Sequence, residues 1–195
     1  LSANLAEVLT IFTATLIGFE VLGPVHLLWI NLVTDTFPAV ALGMEEAEQN
    51  VMNRAPRNSK EGVFAGGLGF DVVLQGIIIS IITLSAYFVG AYIDDAAHGM
   101  TMAFVALSMT EIFHAFNMRS RRGSVFSLKT HNKTLWLSMI FALVLTLIVL
   151  FVHPVAVLFG FTEITVVEFL IAMGIALTII PIVEIVKFIQ RKLKR

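Results

Sequence analysis

The stretch from Trp29 to Ala39, "WINLVTDTFPA", decides how this chain folds. It lies inside an otherwise apolar run from Pro24 to Met44, which has the length that a helix needs to cross a bilayer. Four of its residues do not suit hydrocarbon, namely Asn31, Thr34, Asp35 and Pro38. An ionisable side chain at bilayer depth costs at least ~2.5 kcal/mol and needs a partner, so the stretch predicts a polar site inside a membrane helix.

The composition of the whole chain is that of a membrane protein. Of its 195 residues, 57% are hydrophobic and 14% are charged, and the mean hydropathy is +0.89. The net charge of −1 does not indicate nucleic-acid binding. The absence of cysteine excludes disulfides, thiolate metal sites and cysteine nucleophiles. The chain starts at Leu1 within an apolar segment, so we expect it to be a piece of a longer protein.

Apolar windows of about 20 residues predict six membrane-spanning helices. They cover about 1–19, 24–43, 67–93, 101–118, 134–152 and 165–187. The predicted fold is therefore an all-α, integral membrane segment of three transmembrane hairpins. We treat 1–195 as one transmembrane domain, because the chain has no room for a soluble nucleotide-binding fold.

Charge places the ends of these helices. The links at 20–23, 92–100 and 153–164 contain no Lys or Arg, so all 13 basic residues fall on the other side. The positive-inside rule makes that side cytoplasmic and places both chain termini there. The longest polar stretch, 45–62, is predicted to be an ordered connection on this cytoplasmic side.

Three carboxylates fall inside the predicted spans: Glu7, Asp35 and Glu111. Neutral oxygen donors accompany two of them at helical spacing. Asn4 precedes Glu7 by three positions, about 60° around the helix, and Asn31 precedes Asp35 by four, about 40°. Each of these helices thus offers a small oxygen-bearing face.

The chemistry of this donor set favours a hard cation. No Lys or Arg lies at comparable depth, so the carboxylates must be protonated or bind cations. Together with the Thr34 hydroxyl they form an oxygen-only set that suits Ca²⁺ and has little power to exclude Mn²⁺ or Na⁺. The five histidines show no zinc-ligand spacing, and no catalytic residue is predicted.

Pro38 gives the site helix a reason to open. It lacks an amide hydrogen and clashes with the carbonyl of Thr34, so the helix should loosen over 34–37. Carbonyls freed at membrane depth persist where they line a polar cavity, and they could serve as ion ligands. The alternative is a simple kink, with Asp35 in a buried hydrogen-bond network.

Two further acidic residues have simpler interpretations. Asp71 lies at the cytoplasmic start of the third span, where we expect a structural role. Glu184 precedes Lys187 by three residues, which predicts an interfacial ion pair. Pro181 is predicted to kink the last helix.

The chain resembles the P-type cation-transporting ATPases, and among them the calcium pumps of the reticulum type and their bacterial relatives. Four stretches carry the resemblance: "LSANLAEV" at 1–8, "PVHLLWINLVTDTFPAVALG" at 24–43, "VMNRAPRNSKEGVF" at 51–64 and "MTMAFVALSMTEIFHAFNMRS" at 100–120. The ending "PIVEIVKFI" at 181–189 also resembles the end of that family's tenth helix. The resemblance implies that the chain is the C-terminal half of a pump's membrane domain, helices five to ten.

The resemblance also implies two calcium sites. The first would comprise Asn4, Glu7, Thr34, Asp35 and Glu111. The second would use Asn31, Glu7 and Asp35 and would be completed by the family's fourth transmembrane helix, which this chain does not contain. Asn31 favours the calcium branch, since sodium and potassium pumps have aspartate at the matching place. Thr36 departs from the reticulum pumps, which have glycine there, so the site helix is expected to open less.

What the resemblance implies about partners follows from what is missing. The chain has no Asp-Lys-Thr-Gly-Thr phosphorylation motif, so it cannot hydrolyse ATP alone. ATP and Mg²⁺ would bind only to cytoplasmic domains of the parent chain, and helices one to four would complete the ion cage. The bilayer is the other partner, in a bacterial plasma membrane. Three alternatives stay open. They are a P-type pump for Mn²⁺ or Na⁺, a self-contained six-span cation channel or secondary transporter, and a purely structural membrane module whose buried acids only satisfy one another.

Overall fold

A computed structural model describes residues 1–46, 61–128 and 131–193, and within these ranges the chain is helical and has no strand. The predicted all-α membrane segment is thus confirmed. The helices are α1 Ser2–Ile17, α2 Pro24–Trp29, a π-helical turn Ile30–Asp35, α3 Thr36–Gly43, α4 Leu68–Ile93, α5 Ala96–Asn117, α6 Lys133–Phe151, α7 His153–Phe159, α8 Val166–Leu177 and α9 Ile179–Leu193. Most of the predicted connection at 45–62 lies outside the described residues, as do Arg54, Arg57, Lys60, Lys129, Lys194 and Arg195.

Within the described ranges, five helical stretches are long and apolar enough to cross a membrane. They are Pro24–Gly43, Leu68–Ile93, Ala96–Asn117, Lys133–Phe151 and Val166–Leu193. The first predicted span is shorter than expected, because α1 has 16 residues and rises only about 24 Å. Gly18 ends α1 in the left-handed conformation at φ 97°, where its amide caps Ala14 O.

The site helix consists of α2, the π-helical turn and α3 in unbroken succession. The predicted loosening is present, but it lies at Ile30–Asp35, earlier in the chain than the expected 34–37. The helix widens and does not break: α3 continues through Pro38. A wider turn before the proline relieves the clash of its ring with the preceding turn, and such π-turns are frequent at functional sites.

Helix α5 is the centre of the molecule. In its membrane-spanning window 83% of the residues are buried, against 28–39% in the other four spans. Helices α4 and α5 approach each other closely where they turn, because Gly90 and Gly99 have no side chains there. A Cβ on Gly99 would lie 2.7 Å from the Tyr87 carbonyl oxygen, and one on Gly90 would lie 2.9 Å from Gly99 Cα. Small residues at such contacts let membrane helices pack backbone against backbone.

The helix ends meet as the charge pattern predicts. We call the end where α3, α5 and α9 finish and α4 and α6 begin the basic end. There Arg121 binds Asp71, and Asn132 donates to Ala41 O. The described basic residues belong to this end: Arg119, Arg121, Arg122, Lys133, Lys187, Arg191 and Lys192. The positive-inside rule assigns it to the cytoplasm.

The last span is interrupted where Pro181 predicted a kink. Helix α8 ends at Leu177 and α9 begins at Ile179, and Thr178 between them donates its hydroxyl to Ile175 O. The expected Glu184–Lys187 pair is present, with Lys187 Nζ 3.4 Å from Glu184 Oε1. Lys187 is only 2% exposed, however, because its ammonium also donates to Asn117 O at 2.7 Å.

The close contact of α4 and α5 predicts that Gly99→Ala destabilises the protein. The added methyl would force the helices apart, and overpacking of this kind costs about 1–3 kcal/mol. The matched control is Gly174→Ala in α8, where a Cβ meets nothing within 4 Å. Thermal unfolding of the purified protein in detergent measures both variants. Equal unfolding midpoints for Gly99→Ala and wild type would contradict the packing described here.

Candidate cation site

The structure brings the predicted donors of α1 and the π-helical turn together. Asn31 Nδ2 donates to Glu7 Oε1 at 3.0 Å and to Glu7 Oε2 at 2.9 Å. The other atom of the same amide, Asn31 Oδ1, accepts a hydrogen bond from Asn4 Nδ2 at 3.0 Å. Glu7 is only 8% exposed, so its carboxylate is almost removed from solvent. One amide on the π-helical turn thus connects two polar side chains of α1.

A second group joins the same turn to α5. Thr34 Oγ1 donates to Glu111 Oε2 at 2.9 Å and also lies 3.0 Å from Ile30 O. Thr34 and Glu111 are 1% and 5% exposed. The other carboxylate oxygen, Glu111 Oε1, is buried and has no hydrogen-bond partner in the described part of the chain. A buried acceptor without a donor is a position that a proton or a cation would stabilise.

Asp35 ends the π-helical turn and is half-buried. Its side chain makes no hydrogen bond to the described residues, but it lies near enough to Glu7 and Glu111 for like-charge repulsion. Among the described residues no three acidic or histidine side chains converge tightly enough to hold a metal by themselves. Any cation here would depend on the amide and hydroxyl oxygens of Asn31 and Thr34 as well.

Thr36 accounts for part of the turn's shape. Its hydroxyl donates to Asn31 O at 2.7 Å, five residues back along the chain. That carbonyl is one that a widened turn could leave without a partner. The Thr36 hydroxyl therefore closes one side of the π-helical turn, and a smaller opening than in the reticulum pumps stays a prediction.

The start of the site helix is fixed by His26. Its Nδ1 accepts from Gly23 N at 3.0 Å, so its Nε2 carries the proton and donates to Phe159 O at 2.7 Å. The ring also stacks on Phe161 with centroids 4.6 Å apart. The neutral imidazole therefore caps the start of α2 through Nδ1 and joins α2 to the end of α7 through Nε2.

The end of the site helix is fixed by Glu45. Arg119 Nη2 donates to Glu45 Oε1 at 2.7 Å, and Asn132 Nδ2 donates to Glu45 Oε2 at 2.8 Å. The Arg119 side chain is 6% exposed and the Glu45 side chain is 15% exposed. The hydrogen bonds from Arg119 lower the pKa of the Glu45 carboxyl, although burial acts in the opposite direction. This ion pair ties α3 to α5 and to the start of α6.

Sequence reasoning missed several buried polar groups on α5. Ser108, His114 and Asn117 have buried polar atoms without partners in the described residues, and they surround Glu111 in sequence. The signal was available, because polar residues recur every three positions from Ser108 to Asn117. In a helix buried on most sides, such residues lie inside the protein and not at the lipid.

The fold and these contacts define an integral membrane protein with a carboxylate, amide and hydroxyl cluster around a widened helix. The protein family described as "Cation transporting ATPase, C-terminus" matches residues 19–189. The chain belongs to this family, and it is a C-terminal membrane region of a P-type cation-transporting ATPase.

Similar proteins carry calcium in their names. The chain is 36% identical over 212 residues to "Calcium-transporting ATPase 1" of Bacillus cereus, covering 98% of this chain and 24% of that protein. It is 36% identical over 181 residues to "Calcium-transporting ATPase" of Bacillus subtilis, covering 90% and 20%. It is 30% identical over 223 residues to "Calcium-transporting ATPase 3, endoplasmic reticulum-type" of Arabidopsis thaliana, covering 98% and 22%. The chain thus spans about a quarter of the length of these relatives.

The Glu45–Arg119 pair predicts an acid-sensitive stability. Since the folded-state pKa of Glu45 is lowered, its contribution is present above the ordinary value of 4.5 and is lost as the pH falls through the folded-state pKa. At pH 7, Glu45→Gln should lower the free energy of unfolding by about 1.5–3 kcal/mol, the range for hydrogen bonds to charged groups. The difference from wild type should shrink as the pH drops below 4.5.

Unfolding of the purified protein in detergent, followed between pH 7 and acidic pH, measures this effect. Glu163→Gln is the matched control, because that side chain is 81% exposed and pairs only with the 71% exposed His153. A Glu45→Gln penalty that stays constant down to the lowest pH would show that the charge of Glu45 is not the cause.

Proposed function

We propose that this chain is the ion-binding transmembrane portion of an ATP-driven calcium pump. The observation that carries the proposal is the meeting of three helices at one widened turn. Glu7 from α1 and Glu111 from α5 both hydrogen-bond to side chains of the π-helical turn, to Asn31 and Thr34 respectively. The family membership and the calcium in the relatives' names support the same proposal.

The donor set favours Ca²⁺ by its chemistry. Calcium takes six to eight oxygen ligands in a flexible arrangement, and it accepts carboxylate, amide and hydroxyl oxygens together. Six side chains of this kind lie on the turn or on the two helices next to it, α1 and α5: Asn4, Glu7, Asn31, Thr34, Asp35 and Glu111. In the described part of the chain, arginine and lysine pair with Glu45, Asp71 and Glu184 and not with these three carboxylates, so a divalent cation would balance their charge.

Binding would replace hydrogen bonds with ion contacts. The carboxylate of Glu7 now accepts from the amide of Asn31, and that of Glu111 accepts from the hydroxyl of Thr34. A cation between these groups needs their oxygens to face it, so the amide and the hydroxyl must turn. Each side chain can do this through its own rotamers, while the helix backbone stays in place.

We assign two sites to this set. Asn4, Glu7, Thr34, Asp35 and Glu111 would form the first, and Asn31, Glu7 and Asp35 would contribute to the second. The second site needs the fourth transmembrane helix of the parent chain, which would supply a glutamate and backbone carbonyls. Three carboxylates in this chain, with one more from that helix, would offset the charge of two Ca²⁺ ions.

The cytoplasmic domains of the parent protein would supply the energy. They would bind ATP and Mg²⁺ and accept the phosphoryl group, while this chain contributes no catalytic residue. Phosphorylation would move the helices so that the cage loses its affinity and opens to the other side of the membrane, with protons returning to the emptied carboxylates. The protein would be multi-pass and lie in a bacterial plasma membrane.

Asp35→Asn in the full-length protein tests the proposal. Asn keeps the size of the side chain and removes its charge, and Asp35 makes no hydrogen bond to the described residues that the change would break. The Ca²⁺ concentration needed for phosphorylation by ATP should rise by about ten- to a hundredfold, the equivalent of one charged contact. Glu163→Gln is the control, because this residue lies outside the site, at the end of the molecule opposite the basic end. It should leave that concentration unchanged.

The other outcomes distinguish the alternatives. Unaltered calcium dependence in Asp35→Asn would remove this residue from the site. Phosphorylation that requires Mn²⁺ or Na⁺ in place of Ca²⁺ would keep the pump and change its ion. Cation flux through the purified chain in liposomes without ATP would instead indicate a channel or secondary transporter.

A further inference from the structure

A second polar feature lies at the basic end, away from the cation site. A cavity of about 640 Å³ opens between the start of α4, the segment after α5 and the last turns of α9. Five cationic side chains line it: Arg121, Arg122, Lys187, Arg191 and Lys192. Among the described residues that line it, the only carboxylate is that of Asp71. The cavity therefore has a strong excess of positive charge.

Two of these cations are already neutralised. Arg121 Nε donates to Asp71 Oδ2 at 2.8 Å, and the other oxygen of that carboxylate accepts from Gln190 Nε2 at 2.8 Å. Lys187 is buried and pairs with Glu184. Asp71 is thus held by hydrogen bonds on both of its oxygens, and it fixes one wall of the cavity.

Three cations keep their charge unbalanced. Arg122 and Lys192 are exposed, and no carboxylate of the described residues pairs with either of them. Arg191 Nη1 donates to Arg122 O at 2.6 Å, which holds α9 against the segment after α5 and brings these positive groups to the same opening. Such a cluster attracts an anion of more than one oxygen, such as a phosphate.

The remaining walls are apolar and exposed. Phe70 and Phe188 are 64% and 50% exposed, and Leu193 is 81% exposed. Lys192 Nζ lies 4.7 Å from the centroid of the Phe188 ring, so its ammonium sits at the border between the ring and the polar opening. A soluble phosphate has no apolar surface to pack against these side chains, whereas an acyl chain would cover them.

We propose that this cavity binds an anionic phospholipid of the cytoplasmic leaflet. The lipid phosphate would lie at Arg122 and Lys192, and its first acyl carbons would lie along Phe70 and Phe188. Basic pockets between membrane helices on the cytoplasmic side suit such headgroups, because the anionic leaflet concentrates them there. The lipid would link α4 to α9 across the opening between them.

The test uses the intact protein in phosphatidylcholine vesicles that contain a small fraction of phosphatidylglycerol with a photoreactive acyl chain. After illumination, mass spectrometry locates the labelled residues, and the phosphatidylglycerol fraction that gives half-maximal labelling measures affinity. Wild type should be labelled around Phe70 and Phe188. Unlabelled phosphatidylglycerol that replaces part of the phosphatidylcholine should reduce the labelling, and inorganic phosphate should not.

Charge variants make the assignment specific. Each positive charge near such a lipid contributes about 1 kcal/mol, so Arg122→Gln should raise the half-maximal fraction about fivefold and the double variant with Lys192→Gln about thirtyfold. Lys133→Gln removes an exposed cation from the start of α6, at the same end of the molecule and outside the cavity, and it should have no effect.

Several results would overturn the proposal. Equal weakening by Lys133→Gln would mean that diffuse surface charge attracts the lipid. Unchanged labelling when unlabelled phosphatidylglycerol replaces phosphatidylcholine would reduce the site to an apolar surface, and displacement by inorganic phosphate would make it a site for a soluble anion. Absence of labelling in wild type would mean that another part of the intact protein covers the cavity. If Arg122→Gln and the double variant with Lys192→Gln unfold at the same temperature as wild type, misfolding is excluded as the cause of lost labelling.

Discussion

A carboxylate inside a membrane needs a polar partner, and this constraint organises the centre of the molecule. Glu7 and Glu111 belong to different helices, and each finds its partner on the same six-residue π-helical turn, Ile30–Asp35. The hydrogen bonds hold α1 and α5 against the site helix at one depth. Because the partners are a neutral amide and a neutral hydroxyl, they bind carboxylate oxygens without cancelling their charge, and Glu111 Oε1 has no partner among the described residues. The cluster therefore keeps its capacity to bind a proton or a cation.

The rest of the site helix is fixed at its two ends. His26 caps its start through Nδ1 and joins it to α7 through Nε2. Glu45 joins its end to the segment after α5 through Arg119 and to the start of α6 through Asn132. Between these anchors the widened turn is the place where the backbone departs from regular α-helical geometry. In the proposed site, ion binding would turn the side chains of this widened segment, while the ends of the helix keep their contacts.

Much of this arrangement could be predicted from the residues. Apolar windows gave the spans to within a few residues, and the distribution of Lys and Arg predicted which helix ends meet. The conflict between Asp35 and a hydrophobic helix predicted a site, and the family resemblance chose its ligands. These inferences depend on strong free-energy terms, namely the cost of polar groups in hydrocarbon and the length of the bilayer.

Other features depend on local geometry that one sequence does not specify. The loosening lies at Ile30–Asp35 and not at 34–37, because the helix takes up the strain of Pro38 in the preceding turn and continues through it. The Thr36 hydroxyl caps Asn31 O, a contact that only the backbone of the wide turn makes possible. His114 was not singled out, since its burial follows from the central position of α5, which no periodicity shows.

Direct equilibrium binding of Ca²⁺ to the intact protein tests the central claim most directly. Isothermal titration in detergent, without ATP, should show saturable Ca²⁺ binding in wild type. Binding should be largely lost in Glu111→Gln, where an uncharged amide replaces the buried carboxylate. The exposed-surface variant Glu163→Gln should bind as wild type does. Absence of saturable binding in wild type, or equal binding in Glu111→Gln, would contradict the account and leave the buried acids with a purely structural role.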